Sequence, residues 1–546
     1  MDVIAKEIIS FEKDTVEEAV NKFLENATNV FQFPDLDKDN LRQDLWNALY
    51  DICNSSENND LKYKCFSTIR ILSREKTLLN SLVSEEWLEL FKRESRLGNE
   101  EFTFNNENLK VALEAEKCLC NIVFNSISVA SKCIQNGILE NTLTRIKKFK
   151  EIQEDDIRFF DAKLLFIITA VRPESRRKVK DEMNGVTYLT EALEEILSET
   201  VSKNNFESNT RPNIFLTDMQ TNITCEILKA LFNITLHINE KDETEIKCFT
   251  NVVLILRKYL LIPTESADKR VMLQNDVINL LTNMPQQIYP SLLHPVSESD
   301  KLPKKLVYEN FNFTAVYDVL LLLKSKFVAD TTVSNQHGIL SPTLTVLLKM
   351  AYSDRIMRKY LKAQILPPLK DVHNRPEHGD EIRNHLCKLL TTPITELRDL
   401  VAEFLFVLCK KNVTRMIKYT GYGNAAGLFA QRGLLGGKNI EAETEFSSDD
   451  VDSETEEYAE LKHGINPVLG CYEEPRPNPM ENMSEEQKEY EALRLVQLID
   501  DLTKCGAIKP CRVGKDGKPE PIEHVLQLQE GIKAQSNYHN ADDDSD

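Results

Sequence analysis

Two stretches of the chain, EAEKCLCNI (Glu114–Ile122) and EILKALFNI (Glu226–Ile234), carry Glu, Lys, Leu, Asn and Ile at the same offsets. A degenerate third copy, VINLLTNM, places Leu281 and Asn283 fifty residues after Leu231 and Asn233. A helix ending in L-x-N-apolar, recurring near multiples of ~40–50 residues, marks armadillo or HEAT arrays. One such unit cannot bury its apolar face alone, so neighbours stack into a superhelix with a concave binding surface. The fold expected is therefore all-α, an armadillo/HEAT-like α-solenoid over residues 1–420 with roughly nine units. Arrays of this kind serve as binding surfaces far more often than as enzymes.

Helix signals recur between the repeats. In DTVEEAVNKFLENA, Thr15 and Glu18 offer a capping box, and Val16, Ala19, Val20, Phe23 and Leu24 follow helical spacing. In SPTLTVLLKMAY, Ser341 is placed to cap a helix with Pro342 in its first turn. Leu397, Leu400, Val401, Phe404, Leu405 and Leu408 form one apolar face. No run alternates with period two long enough to argue for a sheet. With only 17 Gly and 20 Pro in 546 residues, the composition favours helices over a turn-rich β architecture.

Other classes are disfavoured. MDVIAKEIISFEKD lacks the pattern of a signal peptide, and NVVLILRKYLLIP is broken by Arg257 and Lys258. A cytoplasmic protein without stable membrane insertion is expected. The twelve cysteines include no C-x-x-C, and most lie in helical patterns as small apolar fillers. Of the formal charge of −20, −17 lies from Glu441 onward. An almost neutral body with an acidic tail disfavours nucleic-acid binding, which wants a basic excess.

That tail divides further. Residues 421–438 hold a Gly-rich turn and a short terminal helix. Residues 439–483 read as an acidic, Pro-containing disordered linker; 441–460 hold ten acids and no Lys or Arg. Residues 484–505 form an amphipathic helix, MSEEQKEYEALRLVQLIDDLTK. Ser484 and Gln487 can make its capping box, and Ala492, Leu495, Val496, Ile499 and Leu502 its apolar stripe. Such a helix needs a partner, its own solenoid or another protein. Residues 506–546 are expected to be a flexible tail.

The stretch KYTGYGNAAGLFAQRGLLGG, residues 418–437, holds six glycines. A phosphate-binding loop needs a buried strand before the glycines and a helix opening at the last. Here a helix precedes them, the spacing is G-x-G-x-x-x-G, and no G-K-[ST] follows. A helix end, a glycine-permitted turn and a short helix fit better. HNRPEHGDEIRNH brings His373, His378 and His385 close, without the pairing on one face that a metal centre wants. No metal, cofactor or catalytic residue is assigned.

The basic residues carry more. Arg70 and Arg74 stand at i, i+4, read as one helix face; Arg355, Arg358, Lys359 and Lys362 cluster, as do Arg415 and Lys418. Ordinary surface charge is the bland alternative; arginine pairs can also clamp carboxylates or phosphates bidentately. In the acidic segment Ser447 has Asp450 at +3 and Ser453 has Glu456 at +3, the pattern of an acidophilic protein kinase. Each phosphate would add about −1.5 to −2 charge.

Longer blocks now become recognisable. RKYLKAQILPPLKDV, EFLFVLCKKNVTRMIKYTGYGNAAGLFAQRGLLGG, EYAELKHGINPVLG and NPMENMSEEQKEYEA, in order through residues 340–500, closely resemble the synembryn family. RILSREK and KCLCNIVFNS extend the likeness toward the N-terminus. The resemblance implies a cytosolic guanine-nucleotide exchange factor and folding chaperone for α subunits of heterotrimeric G proteins. It would be without an active site of its own, and recruited on occasion to the cell cortex; a monomer is expected. The concave surface would grip the GDP-bound or nascent α subunit by its C-terminal helix, promote GDP release and stabilise the nucleotide-free state.

Residue by residue, the resemblance implies that Arg70, Arg74 and Asn121 hold the α subunit's terminal carboxylate. It places phosphorylation on Ser448 and Ser453, with Arg355, Lys359 and Arg415 as phosphate partners. Ser448 departs from the pattern, having Val451 at +3, and Ser447 fits the kinase better. The helix at 484–503, with Leu495, Val496, Ile499 and Leu502, resembles the part that contacts the nucleotide domain. The alternative is an armadillo-type transport adaptor or passive scaffold. An adaptor groove for basic peptides would repeat Trp and Asn together, whereas this chain has only Trp46 and Trp87.

Overall fold

The computed structural model describes residues 1–10, 15–98, 104–204, 215–296, 302–328, 333–370, 372–435, 454–474, 480 and 483–522, without the side chains of 201–204 and 333–334. The chain divides into two compact units: Met1–His294 with Thr314–Asp318, and Pro295–Phe313 with Val319–Asp546.

In the first unit the helices Asn59–Leu72, Asn106–Asn125, Asp155–Val171, Asp218–Ile234 and Ala267–Asn283 pack each against the next. Their starts are written locally. Asn58 accepts from the backbone N–H groups of Asp60 and Leu61, and Asn105 and Thr217 make reciprocal capping boxes with Asn108 and Gln220. Their buried faces are mostly aliphatic, and Phe66 of the first joins an aromatic cluster with Phe91, Trp87 and Trp46.

The repeated asparagine binds one helix to its predecessor. The Asn121 amide donates to the carbonyl of Arg70 at 3.2 Å, and Asn233 to that of Phe166 at 3.2 Å. Asn283 donates to that of Phe232 at 2.8 Å. Each accepting carbonyl lies in the last two turns of the preceding helix, next to the end where intrahelical donors run out. This is an α-solenoid of the armadillo/HEAT kind, with the L-x-N repeat as its inter-helix hydrogen bond.

In the second unit the helices Val333–Ser353, Arg355–Ile365, Ile382–Leu389, Thr395–Leu408, Val413–Thr420 and Tyr422–Arg432 surround a core that includes Leu347, Leu361, Leu405 and Phe429. Two local expectations fail. Pro342 lies inside the Val333–Ser353 helix, so Ser341 caps nothing. Pro342 comes four residues after Gly338, which has open space where a Cβ would stand. Thr15 precedes the Val16–Ala27 helix but makes no side-chain cap hydrogen bond. The Ser484–Gln487 capping box does form.

The glycine stretch is a helix end, a turn and a short helix. Gly421, at φ 75°, ends Val413–Thr420 and opens Tyr422–Arg432, and Gly433 ends the latter. The opening of that second helix is occupied by the chain itself. Tyr422 N–H donates to the Pro467 carbonyl at 2.8 Å and Gly423 N–H to the Val468 carbonyl at 2.9 Å. Pro467 and Val468 belong to a hairpin pairing Ile465–Asn466 with Cys471–Tyr472, and Tyr472 N–H donates to the Val372 carbonyl at 2.7 Å. The N–H groups that a phosphate loop would offer are therefore spent on backbone carbonyls.

Residues 506–546 were expected to be a flexible tail; within them Cys511–Val513 pairs antiparallel with Pro519–Pro521. Leu435 N–H donates to the Gly517 carbonyl at 3.2 Å. These pairs are too short for the alternation rule to register.

Candidate functional site

The first candidate lies on the stacked helices of the first unit. Arg70 sits in the last turn of Asn59–Leu72, and its Nε donates to Glu114 on the next helix. Glu114 is 1% exposed, and its second carboxylate oxygen receives Lys117 at 3.1 Å. Arg70 and Lys117 are each about one-third exposed. A buried carboxylate thus holds two cations at the surface. Burial pulls the Arg70 pKa down, but the bond and charge of Glu114 outweigh it and leave the guanidinium raised.

Arg74 does not share a helix face with Arg70, because the helix ends at Leu72 and Ser73 is its C-cap. Its guanidinium turns to the carbonyls of Thr28 (2.8 Å) and Val30 (3.2 Å) and stacks on exposed Phe31, 5.1 Å from the ring centroid. Burial and the charge of Arg70 both lower its pKa, so the two guanidinia remain within electrostatic reach. Asn121 lies between the two helices with its amide nitrogen bonded to the Arg70 carbonyl. The structure therefore brings Arg70, Arg74 and Asn121 together, with Asn121 serving the helix stack.

Sequence reasoning missed the aromatic half of this face. Lys117 lies 5.7 Å over the Phe160 ring, Lys163 5.4 Å over Phe159, and Lys229 4.8 Å over Phe166. Lys229 also pairs with Glu226 at 2.7 Å, repeating the Glu114–Lys117 arrangement one copy further on. Cations over aromatic faces make a surface suited to an amphipathic peptide with acidic or carboxylate-ended chemistry. The repeat E-x-x-K was the available signal.

Beneath this face sits a fully buried ion cluster. Arg145 binds Asp161 through Nε (2.8 Å) and Nη2 (2.6 Å), the Ser95 carbonyl through Nη1 (2.7 Å), and Glu116 as well. One guanidinium faces two carboxylates. Burial raises both acids, Glu116 to about 8, against the pull of Arg145.

The second candidate lies within the second unit. Arg355, Lys359 and Arg415 line one cavity of about 220 Å³, together with Arg358, Lys362, Lys410, Tyr308 and Tyr419. Arg355 is the first residue of its helix, behind the Asp354 cap, and Arg415 lies in the first turn behind Asn412. Cations at helix N-termini oppose the macrodipole, an arrangement that an incoming anion relieves. Next to the cavity, Lys418 packs 4.6 Å over buried Tyr458 and pairs with Glu454 at 3.7 Å, and the Thr455 hydroxyl donates to the Leu369 carbonyl. Ser447, Ser448 and Ser453 lie outside the described residues.

The Glu485–Lys504 helix has no buried residue. Leu495 and Val496 are exposed, and Ile499 and Leu502 half-buried. Tyr490, Leu493 and Leu498 are exposed too, so its apolar surface is wider than the stripe read from the sequence. Of the histidines clustered in sequence, His385 stacks on Phe327 at 4.7 Å and His373 meets the edge of Tyr472. Among the described residues no group of three or more His, Cys, Asp or Glu is placed to hold a metal, and no helix is long and apolar enough to cross a membrane.

The stacked helices define an α-solenoid of the armadillo/HEAT kind. The family model described as guanine nucleotide exchange factor synembryn matches residues 65–518, and the chain belongs to that family. Chaperone Ric-8 of Drosophila pseudoobscura pseudoobscura is 37% identical over 563 residues, covering 96% of each chain. Chaperone Ric-8A of Gallus gallus is 36% identical over 524 residues, covering 95% of each. Among solved structures, one from a study of a phosphorylation switch between cadherin and beta-catenin aligns with 81% of this chain and 80% of its own. Its TM-score is 0.45 at 12% identity; the fold assignment rests on the helix stacking itself.

Proposed function

We propose that this chain is a guanine-nucleotide exchange factor and folding chaperone for heterotrimeric G-protein α subunits, working in the cytoplasm as a monomer and recruited to the cell cortex. The observation that carries the reading is the first unit's face of Arg70, Arg74, Lys117, Lys163 and Lys229 interleaved with Phe31, Phe160 and Phe166. It occurs in a chain whose relatives match along nearly their whole length. The partner's C-terminal helix would lay its apolar side on the phenylalanines, its carboxylate meeting Arg70 and Arg74. Holding that helix away from the nucleotide domain favours the nucleotide-free state, so GDP leaves and GTP later displaces the chaperone.

Two further elements support the reading. The cavity lined by Arg355, Lys359 and Arg415 would receive phosphate added by an acidophilic kinase to Ser447, Ser448 or Ser453. Lys418, next in sequence to the cavity-lining Tyr419, pairs with Glu454, the residue after Ser453. The exposed Leu495 and Val496, with the half-buried Ile499 and Leu502, would meet the partner's nucleotide domain.

The test is release of labelled GDP from a purified α subunit at substoichiometric amounts of this protein. Acceleration over several turnovers is expected. No acceleration from the kinase-treated protein across several α-subunit classes would leave an adaptor or scaffold. Arg70→Lys with Arg74→Ala is the informative variant, because Arg70→Ala would strip the buried Glu114 of its arginine.

A further inference from the structure

Glu114 lies behind the proposed contacts, on the helix next to the one that carries Arg70. It is almost wholly buried, yet both its oxygens are spent on partly exposed cations: Arg70 through Nε on one, Lys117 on the other.

The point of attachment matters chemically. A guanidinium can meet a carboxylate side-on, through Nε and one Nη, or end-on, through both Nη groups. With Nε tied down by Glu114, the side-on face is closed. Neither Nη of Arg70 donates to a described residue, so the end-on fork is the face left for a ligand. The second repeat shows what Glu does without an arginine: Glu226 holds only Lys229, which lies over Phe166. Rotamer entropy is the other consequence, since an arginine tethered at Nε has already lost much of the freedom that binding would otherwise remove.

We infer that Glu114 is a positioning residue that presents the end-on fork of Arg70 to a C-terminal carboxylate, giving the face its preference for a free chain end. This rests on the carboxylate-clamp reading above. Glu114 itself never meets the partner; it fixes where the fork points.

The test uses the full chain and two fluorescent peptides spanning the C-terminal helix of an α subunit, one ending in a free carboxylate and one amidated. Wild-type protein should bind the free acid roughly tenfold or more tightly, the scale of a charge-assisted pair. Glu114→Gln keeps the shape and loses the charge; its preference should fall to about twofold while binding of the amidated peptide hardly changes. Arg70→Lys retains a cation but has no fork, and should lose the preference likewise. It decides the matter if Glu114→Gln fails to fold.

A folded Glu114→Gln protein with the wild-type preference would overturn the positioning role and leave the clamp standing. So would an Arg70→Lys protein that still discriminates. Equal binding of both peptides by the wild type would sink the clamp itself, and this inference with it.

Discussion

Arg145 and Asp161 meet as a closed fork, Nε to Oδ2 at 2.8 Å and Nη2 to Oδ1 at 2.6 Å, with neither side chain reaching solvent. Glu116 shares the same guanidinium, so the cluster holds more acid than base. Its first consequence is mechanical. Arg145→Met removes the partner of two buried carboxylates and should cost about 3–5 kcal/mol, read as a lower urea midpoint. An unchanged midpoint would show that the two buried acids do not depend on the guanidinium.

The second consequence is a pH dependence. The Glu116 pKa is raised from 4.5 to about 8 by burial, opposed by Arg145. The folded state then holds a proton that the unfolded chain has released, so the contribution is full below pH ~4.5 and fades as pH rises through about 8. Glu116→Gln carries no proton to lose. Its melting temperature should fall less than wild type between pH 6 and 8.5, by on the order of 2–4 °C for each kcal/mol relieved. Parallel profiles would refute the assignment.

Asn233 donates to both the Phe166 carbonyl and the Thr169 hydroxyl. Asn233→Ala leaves that carbonyl without its inter-helix donor and should cost about 1–3 kcal/mol. Faster amide hydrogen exchange should concentrate in the helices Asp155–Val171 and Asp218–Ile234. Exchange raised uniformly through the unit would count against a local stitch.

Gly470 sets the hairpin turn against the short glycine-led helix. Its φ is 70°, and an added Cβ would stand 2.9 Å from the Gly421 Cα. Gly470→Val should lift residues 465–472 from Gly421 and Val372, opening new sites to limited proteolysis between 454 and 474 while the Thr395–Leu408 helix stays protected. Wild-type cleavage would show that the seat tolerates a side chain.

Several features were legible because their cause is local. The helices, the Ser484 cap and the glycine-led turn follow from periodicity and from backbone groups satisfied within a few residues. Pro342 shows the limit: a proline read as a helix start lies inside one, because the packed helix around it outweighs a local preference. The L-x-N repeat announced stacked helices, but its offsets could not say that the amide serves the neighbouring helix.

By itself the sequence determined an all-helical array, its repeat and the family it resembles, since these are written in spacings that survive without a third dimension. Tertiary structure alone decided that Arg70 meets Glu114, 44 residues away, through Nε. It also gathered Arg355 and Arg415 around one cavity and seated Pro467 and Val468 on Tyr422 and Gly423. Those contacts depend on how far and at what angle one helix lies from another. That is set by the whole packed core, not by any short stretch of chain.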